Sequence, residues 1–197
     1  MRAGIGYDRI GRMNTVVTSL SDPQVAAVLE AGGIVVARTD TLYGLLARAD
    51  DEAAVERVYA IKDRDEKKSP IVLVASIDQL FDPISAKLQE LCSEKWPGPV
   101  SIIVPSNEAP VWVRRQNDSV AYRIPDNDDL RELLAQTGPL IAPSANPEGK
   151  EPAMDIEEAK AYFGDTVDVY IDGGRVTEAR ASQLLRMSKH GTVEQLR

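Results

Sequence analysis

Short apolar runs set apart by helix-patterned segments constrain this chain more than any other feature. IVVA at 34–37 and IVLVA at 71–75 have the length of buried strands, and between them Ala54, Val55, Val58 and Ile61 recur at helical spacing. The rhythm persists. Ser21, with Gln24 three residues on, predicts the start of a helix carrying Val25, Val28 and Leu29, which Gly32 and Gly33 close. Further helices are expected near 84–94, 127–136 and 155–163, and further strands at 100–104, 119–124, 139–142, 167–171 and 182–187. Alternation of this kind predicts an α/β sheet with helices packed on it.

A chain of 197 residues can bury a sizeable core, and we read one domain. Residues 1–14 bring Gly4, Gly6, Gly11 and three arginines without periodicity, so an N-terminal extension over 1–17 and a domain over 18–197 are expected, with Met13 as an alternative start. The net charge of −8 argues against a protein that coats nucleic acid or an anionic membrane. One cysteine, Cys92, and one histidine, His190, exclude an internal disulfide framework and a Cys/His zinc site. With no apolar run near ~18 residues and no signal-peptide pattern, a soluble cytoplasmic protein is expected.

In open α/β sheets ligands bind beyond strand ends, which directs attention to four loops. RTDTLYGL, from Arg38, offers small hydroxyls and Gly44 for close backbone approach, while its plainer reading is a polar loop with Tyr43 in the core. KDRDEKKS, from Lys62, clusters Lys62, Arg64, Lys67 and Lys68, which suits a polyphosphate or, more plainly, complements a helix C-terminus. APSANPEGKEP, from Ala142, reads by composition only as a turn, and Ser182 in ASQLL reads as an ordinary strand residue.

Together and in this order, these pieces resemble the YrdC-type threonylcarbamoyl-AMP synthases. TDTLYGL (39–45), KDR (62–64), PGPVSIIV (98–105), YRIP (122–125), PSAN (143–146) and DGG followed by ASQLL (172–185) carry the likeness, which covers roughly residues 20–197. The resemblance implies a strongly twisted mixed sheet around a large basic concave cavity. There L-threonine, bicarbonate and ATP, accompanied by Mg²⁺, would give threonylcarbamoyl-AMP and pyrophosphate, a nucleotidyl transfer that serves the modification of adenosine 37 in tRNA. Carried over by residue, Lys62 and Arg64 would be catalytic. Thr39, Thr41, Arg123, Ser144 and Ser182 would bind L-threonine. Lys62, Arg64, Lys67, Lys68, Ser119, Ser144, Asn146 and Arg197 would hold the nucleotide. No protein side chain is assigned to a metal. The partners implied beyond the substrates are the tRNA-modifying transferase machinery, indirectly, and weak tRNA binding, with no membrane.

The chain also departs from the family pattern. Arg38 replaces the usual Pro, which would bring one more cation to the cavity, and the loop after Arg64 is one residue longer than usual. Gln183 stands where a threonine usually follows Ser182, and Val74 stands where some members have histidine. The chain resembles the short form without a further C-terminal domain. Two rival functions compete: a non-catalytic RNA-binding module of this fold, and a carbamoyl-transfer domain of the hydrogenase-maturation kind.

Overall fold

The computed structural model describes residues 6–7, 13–178 and 181–197. In chain order the elements are β1 (Gly6–Tyr7), β2 (Met13–Val17), α1 (Pro23–Glu30), β3 (Val35–Arg38), β4 (Tyr43–Arg48), α2 (Glu52–Lys62), β5 (Ile71–Leu73), α3 (Ala86–Lys95) and β6 (Val100–Pro105). There follow α4 (Val111–Arg114), β7 (Ser119–Arg123), α5 (Asp128–Thr137), β8 (Leu140–Ile141), α6 (Ile156–Phe163), β9 (Val169–Ile171), β10 (Gln183–Met187) and β11 (Val193–Gln195). The helices begin where short polar side chains satisfy free amides. Asp51, Ser85, Asn127 and Asp155 each accept the N–H three residues on. For α1 the cap is Asp22, one residue after the expected Ser21, and Pro23 occupies the first helical position.

The strands form one mixed sheet in the order β1-β2-β9-β3-β4-β8-β5-β7-β6-β10-β11. Residues paired across a ladder point to the same face, so the register sorts the sheet's side chains into two sets. One set, including Val36, Leu45, Val72, Tyr122, Ile102 and Leu185, is buried under α2, α3, α4 and α6. The other set is divided. Val35, Leu46, Leu140 and Leu73 pack beneath α1 and α5, through Leu29, Leu130 and Leu134. Beyond Leu73 the same face continues as Arg123 on β7, then Ser101 on β6 and Leu184 on β10. This half of the face carries polar and charged groups, and it is where the site lies.

Two expectations change. The sheet extends ahead of the expected boundary at residue 18, because Thr15 to Val17 pair with Val169 to Ile171 and Val17 enters the core. The rest of the expected extension, 1–5 and 8–12, lies outside the described residues. Of the stretch RTDTLYGL, Arg38 ends β3 and only 39–42 is loop. From Tyr43 it is strand β4, since that apolar run is paired on both sides, with β3 and with β8. Among the described residues no helix is long and apolar enough to cross a membrane.

The cover over the left half of this face depends on α5. Leu134 is fully buried against it, so Leu134→Ala is expected to cost about 2–5 kcal/mol by leaving a cavity. Urea unfolding should show a lower midpoint with an unchanged slope.

Candidate active site

Two adjoining clefts open on the uncovered half-sheet. The first, of about 320 Å³, is lined among others by Thr41, Arg64, Arg123, Ser144, Ser182 and Arg197. The second, of about 420 Å³, is lined among others by Lys67, Lys68, Ser119, Leu184 and Arg186, and the two share Arg64, Ser69, Ile71 and Arg197. The cations Arg64, Lys67, Lys68, Arg123, Arg186 and Arg197 face these clefts, and among the described residues no acidic side chain does.

The first wall is the hairpin between β3 and β4. The Thr39 hydroxyl donates to the Leu42 carbonyl at 2.8 Å and accepts the amides of Thr41 and Leu42, so it is spent on shaping the turn. Thr41 Oγ1 lies 3.1 Å from it, on the cleft. Gly44 bridges Ser144 across the cleft, and a side chain there would be tight. A Cβ there would lie 3.3 Å from the Pro143 carbonyl oxygen. Tyr43, read as core packing, is fully buried. Its hydroxyl also ties this wall to the DGG loop, donating to the Gly174 carbonyl and accepting the Gly173 amide.

Arg123 is only 3% exposed. A buried guanidinium needs a counter-charge, and Asp40 Oδ1 supplies it at 3.1 Å. The pairing is imperfect, since neither Asp40 Oδ1 nor Arg123 Nε makes a hydrogen bond. Arg123 thus lines the first cleft with its donors incompletely paired. Burial raises the Asp40 pKa although Arg123 works against it, and burial lowers that of Arg123 although Asp40 works against it. Sequence reasoning missed Asp40, because no spacing links residues 40 and 123.

The loops after α2 and β8 are stapled to each other by Lys62. Its ammonium, 1% exposed, donates to the carbonyls of Ser144 and Asn146, and its own carbonyl accepts the Glu148 amide at 2.7 Å. Lys62 and Asn146 are thus placed behind the cleft wall, not on its lining. The Asn146 amide donates to the Pro147 and Lys150 carbonyls at 3.0 and 2.7 Å, and its oxygen accepts the Ser144 hydroxyl at 2.6 Å. Ser144 does line the first cleft. Arg64 bends toward the Lys68 and Ser69 carbonyls, and Lys68 pairs with Glu148.

On the far wall, buried Ser182 meets Ser101 Oγ at 3.0 Å, and Arg197 Nε donates to the Ser182 carbonyl at 3.1 Å. Alternation along β10 turns Gln183 from the clefts, and it lines neither. Arg38 does not reach them. It donates to the Gly173 carbonyl and lines a separate groove with Asp126, Asn127 and Asp129, which corrects the expectation of an added cavity cation. Val74 is fully buried.

A family profile described as Telomere recombination, for Sua5, YciO and YrdC, matches residues 27–197. The chain belongs to this family. It is 34% identical over 161 residues to a protein of Marinobacter nauticus named threonylcarbamoyl-AMP synthase, covering 79% of this chain and 85% of that protein. The structure of P. abyssi Sua5 complexed with L-threonine aligns with a TM-score of 0.81 at 27% identity, over 88% of this chain. This chain spans 54% of that one. YciO of E. coli shares the fold, with a TM-score of 0.82 at 21% identity and coverage of 94% and 95%.

Burial lowers the Lys62 pKa to about 8; the nearby charge of Arg64 adds to the shift and Glu148 opposes it. An unfolded lysine keeps its proton up to about 10.5, so between pH 8 and 10.5 the unfolded chain binds more protons. Stability is therefore expected to rise with pH across that window and to be flat with respect to this group below it. Urea midpoints measured from pH 7 to 10.5 should show the rise in the wild-type protein and a smaller one in Lys62→Met.

Proposed function

We propose that the chain is a threonylcarbamoyl-AMP synthase, acting on L-threonine, bicarbonate and ATP. The observation that carries this reading is the pair of joined clefts, lined by six cationic side chains and by no acidic side chain among the described residues, in a chain whose relatives bear that name. The three substrates bring a carboxylate, a bicarbonate and a triphosphate into one site. Fixed cations and hydroxyl donors answer that need.

In the reaction the threonine amine attacks the bicarbonate carbon, and loss of water leaves a carbamate. A carbamate oxygen then attacks the α-phosphorus of ATP, and the bond to the pyrophosphate oxygen breaks. ATP enters as its Mg²⁺ complex, with the ion on its phosphates. No protein nucleophile is needed, so the chain's work is positioning and stabilisation of spread charge. Arg123 would take the threonine carboxylate, with Thr41 and Ser182 beside it. Arg64 lies at the junction of the two clefts, where the reacting phosphate would sit. Lys67, Lys68, Ser119 and Arg197 would hold the nucleotide beyond it. Thr39, Lys62 and Asn146 would act through the loops they fix, with the Lys62 charge adding to the field behind Ser144. The product would pass to the machinery that modifies adenosine 37 of tRNA, and the protein would work in the cytoplasm.

Incubation with threonine, bicarbonate and ATP should release pyrophosphate only when threonine is present. Arg64→Ala should lower that rate by about 10²-fold or more, as loss of one charge-stabilising donor does. Near-wild-type release from this variant would contradict the assignment of the junction. Amino-acid choice gives a second test. Valine, which lacks the hydroxyl, should be rejected far more strongly than serine, which lacks only a methyl group. Gln183→Ala should leave the threonine KM unchanged and Ser182→Ala should raise it; the opposite ranking would place the wrong face of β10 on the substrate.

A further inference from the structure

Arg186 belongs to none of the motifs that mark this site, yet the register sets it on the site's floor. Ser182, Leu184 and Arg186 share one face leading into and along β10, whereas Leu185 and Met187 are buried on the other. Across the sheet Arg186 stands beside Ile103, Ile103 beside Ala121, and Ala121 beside Ile71. These four side chains form a row over β10, β6, β7 and β5, and all four line the second cleft. At strand spacings of about 4.8 Å the row is about 14 Å long.

The row has a chemical polarity. Arg64, Lys67, Lys68 and Ser69 come from the loop leading into β5, Ile71, Ala121 and Ile103 give an apolar middle flanked by Leu184, and Arg186 stands at the β10 end, on the side where Arg197 also bonds the chain at Ser182. Arg186 is exposed, and its side chain makes no hydrogen bond or ion pair among the described residues, although Glu194 is its neighbour across the β10–β11 ladder. A planar base lies well on an apolar strip, and a guanidinium is itself planar, stacks on ring faces and donates to ring nitrogens. Triphosphate oxygens belong at the opposite end, where three cations converge.

We propose that Arg186 is a nucleoside-recognition residue. Its guanidinium contacts the purine carried by the Ile71–Ala121–Ile103 strip, while the phosphates reach back to Arg64, Lys67 and Lys68. The inference rests on the synthase reading above and adds to it a contact to the base.

Titration calorimetry on the full chain tests it, with the Mg²⁺ complex of a non-hydrolysable ATP analogue as one probe and inorganic tripolyphosphate as the other. Arg186→Ala should weaken the analogue about tenfold, the size of a stacked cation contact, and leave tripolyphosphate binding unchanged. Arg186→Lys keeps the charge but not the plane, and it should lose nearly as much. Arg64→Ala should weaken both probes. Equal loss of both probes in Arg186→Ala, full rescue by lysine, or unchanged analogue binding would each overturn the assignment while leaving the synthase reading standing. A wild-type protein that binds neither probe would overturn both.

Discussion

Everything about this site follows from one asymmetry: a sheet with helices over the whole of one face and over only half of the other. The row that runs through Leu140 and Leu73 is sealed by α5 and α1, and one strand later the same row reads Arg123. A guanidinium one ladder step from a leucine core is costly to leave unpaired. Asp40, brought over by the β3–β4 hairpin, meets it off-axis and without a hydrogen bond to Oδ1. The pair thus keeps Arg123 charged in a dry setting while leaving part of its donor fork unspent.

The second organising element is hidden. Lys62 lies behind the cleft lining, where its ammonium holds two carbonyls of the Ser144–Asn146 turn, and Asn146 in turn orients the Ser144 hydroxyl. The loop bearing Arg64 and the loop bearing Ser144 are therefore tied to each other. Contacts of this kind set the geometry of an active site within tenths of an ångström, which is the scale on which positioning accelerates a reaction.

Much of the fold was legible because it is local. Strands such as 71–73 and helices such as Asp128–Thr137 announce themselves through apolar runs, caps and spacing. Strand β4 was hidden because YGLLA continues directly from a polar turn, and its strand character comes from partners on both sides, distant in sequence. Strand β2 was hidden for the same reason: its partner β9 lies about 150 residues downstream. For the site, resemblance supplied the side chains that line the clefts, such as Thr41, Arg123 and Ser182. It could not separate those on the lining from those behind it, since burial of Lys62 and Asn146 is a property of two loops meeting. Asp40 and Arg186 carry no local signal at all, and only ladder register and packing place them.

The question of how a chain of net charge −8 concentrates cations in one concavity has a physical answer in their partners. Like charges gathered in a cleft repel, and carboxylates would relieve that repulsion only by cancelling the field that an anionic substrate needs. Here the relief comes chiefly from neutral dipoles. Arg64 is held by the carbonyls of Lys68 and Ser69, Arg197 by that of Ser182, and Lys62 by those of Ser144 and Asn146. Each carbonyl fixes its cation in place and leaves the formal charge intact. Among the described residues, the ion pairs on the site's cations are Arg123 with Asp40 and Lys68 with Glu148, and the acidic partners of both lie off the cleft lining. On the outer surface, water and salt screen the excess acidic groups within about 8–10 Å, so the acidity of the whole molecule does not reach into the cleft.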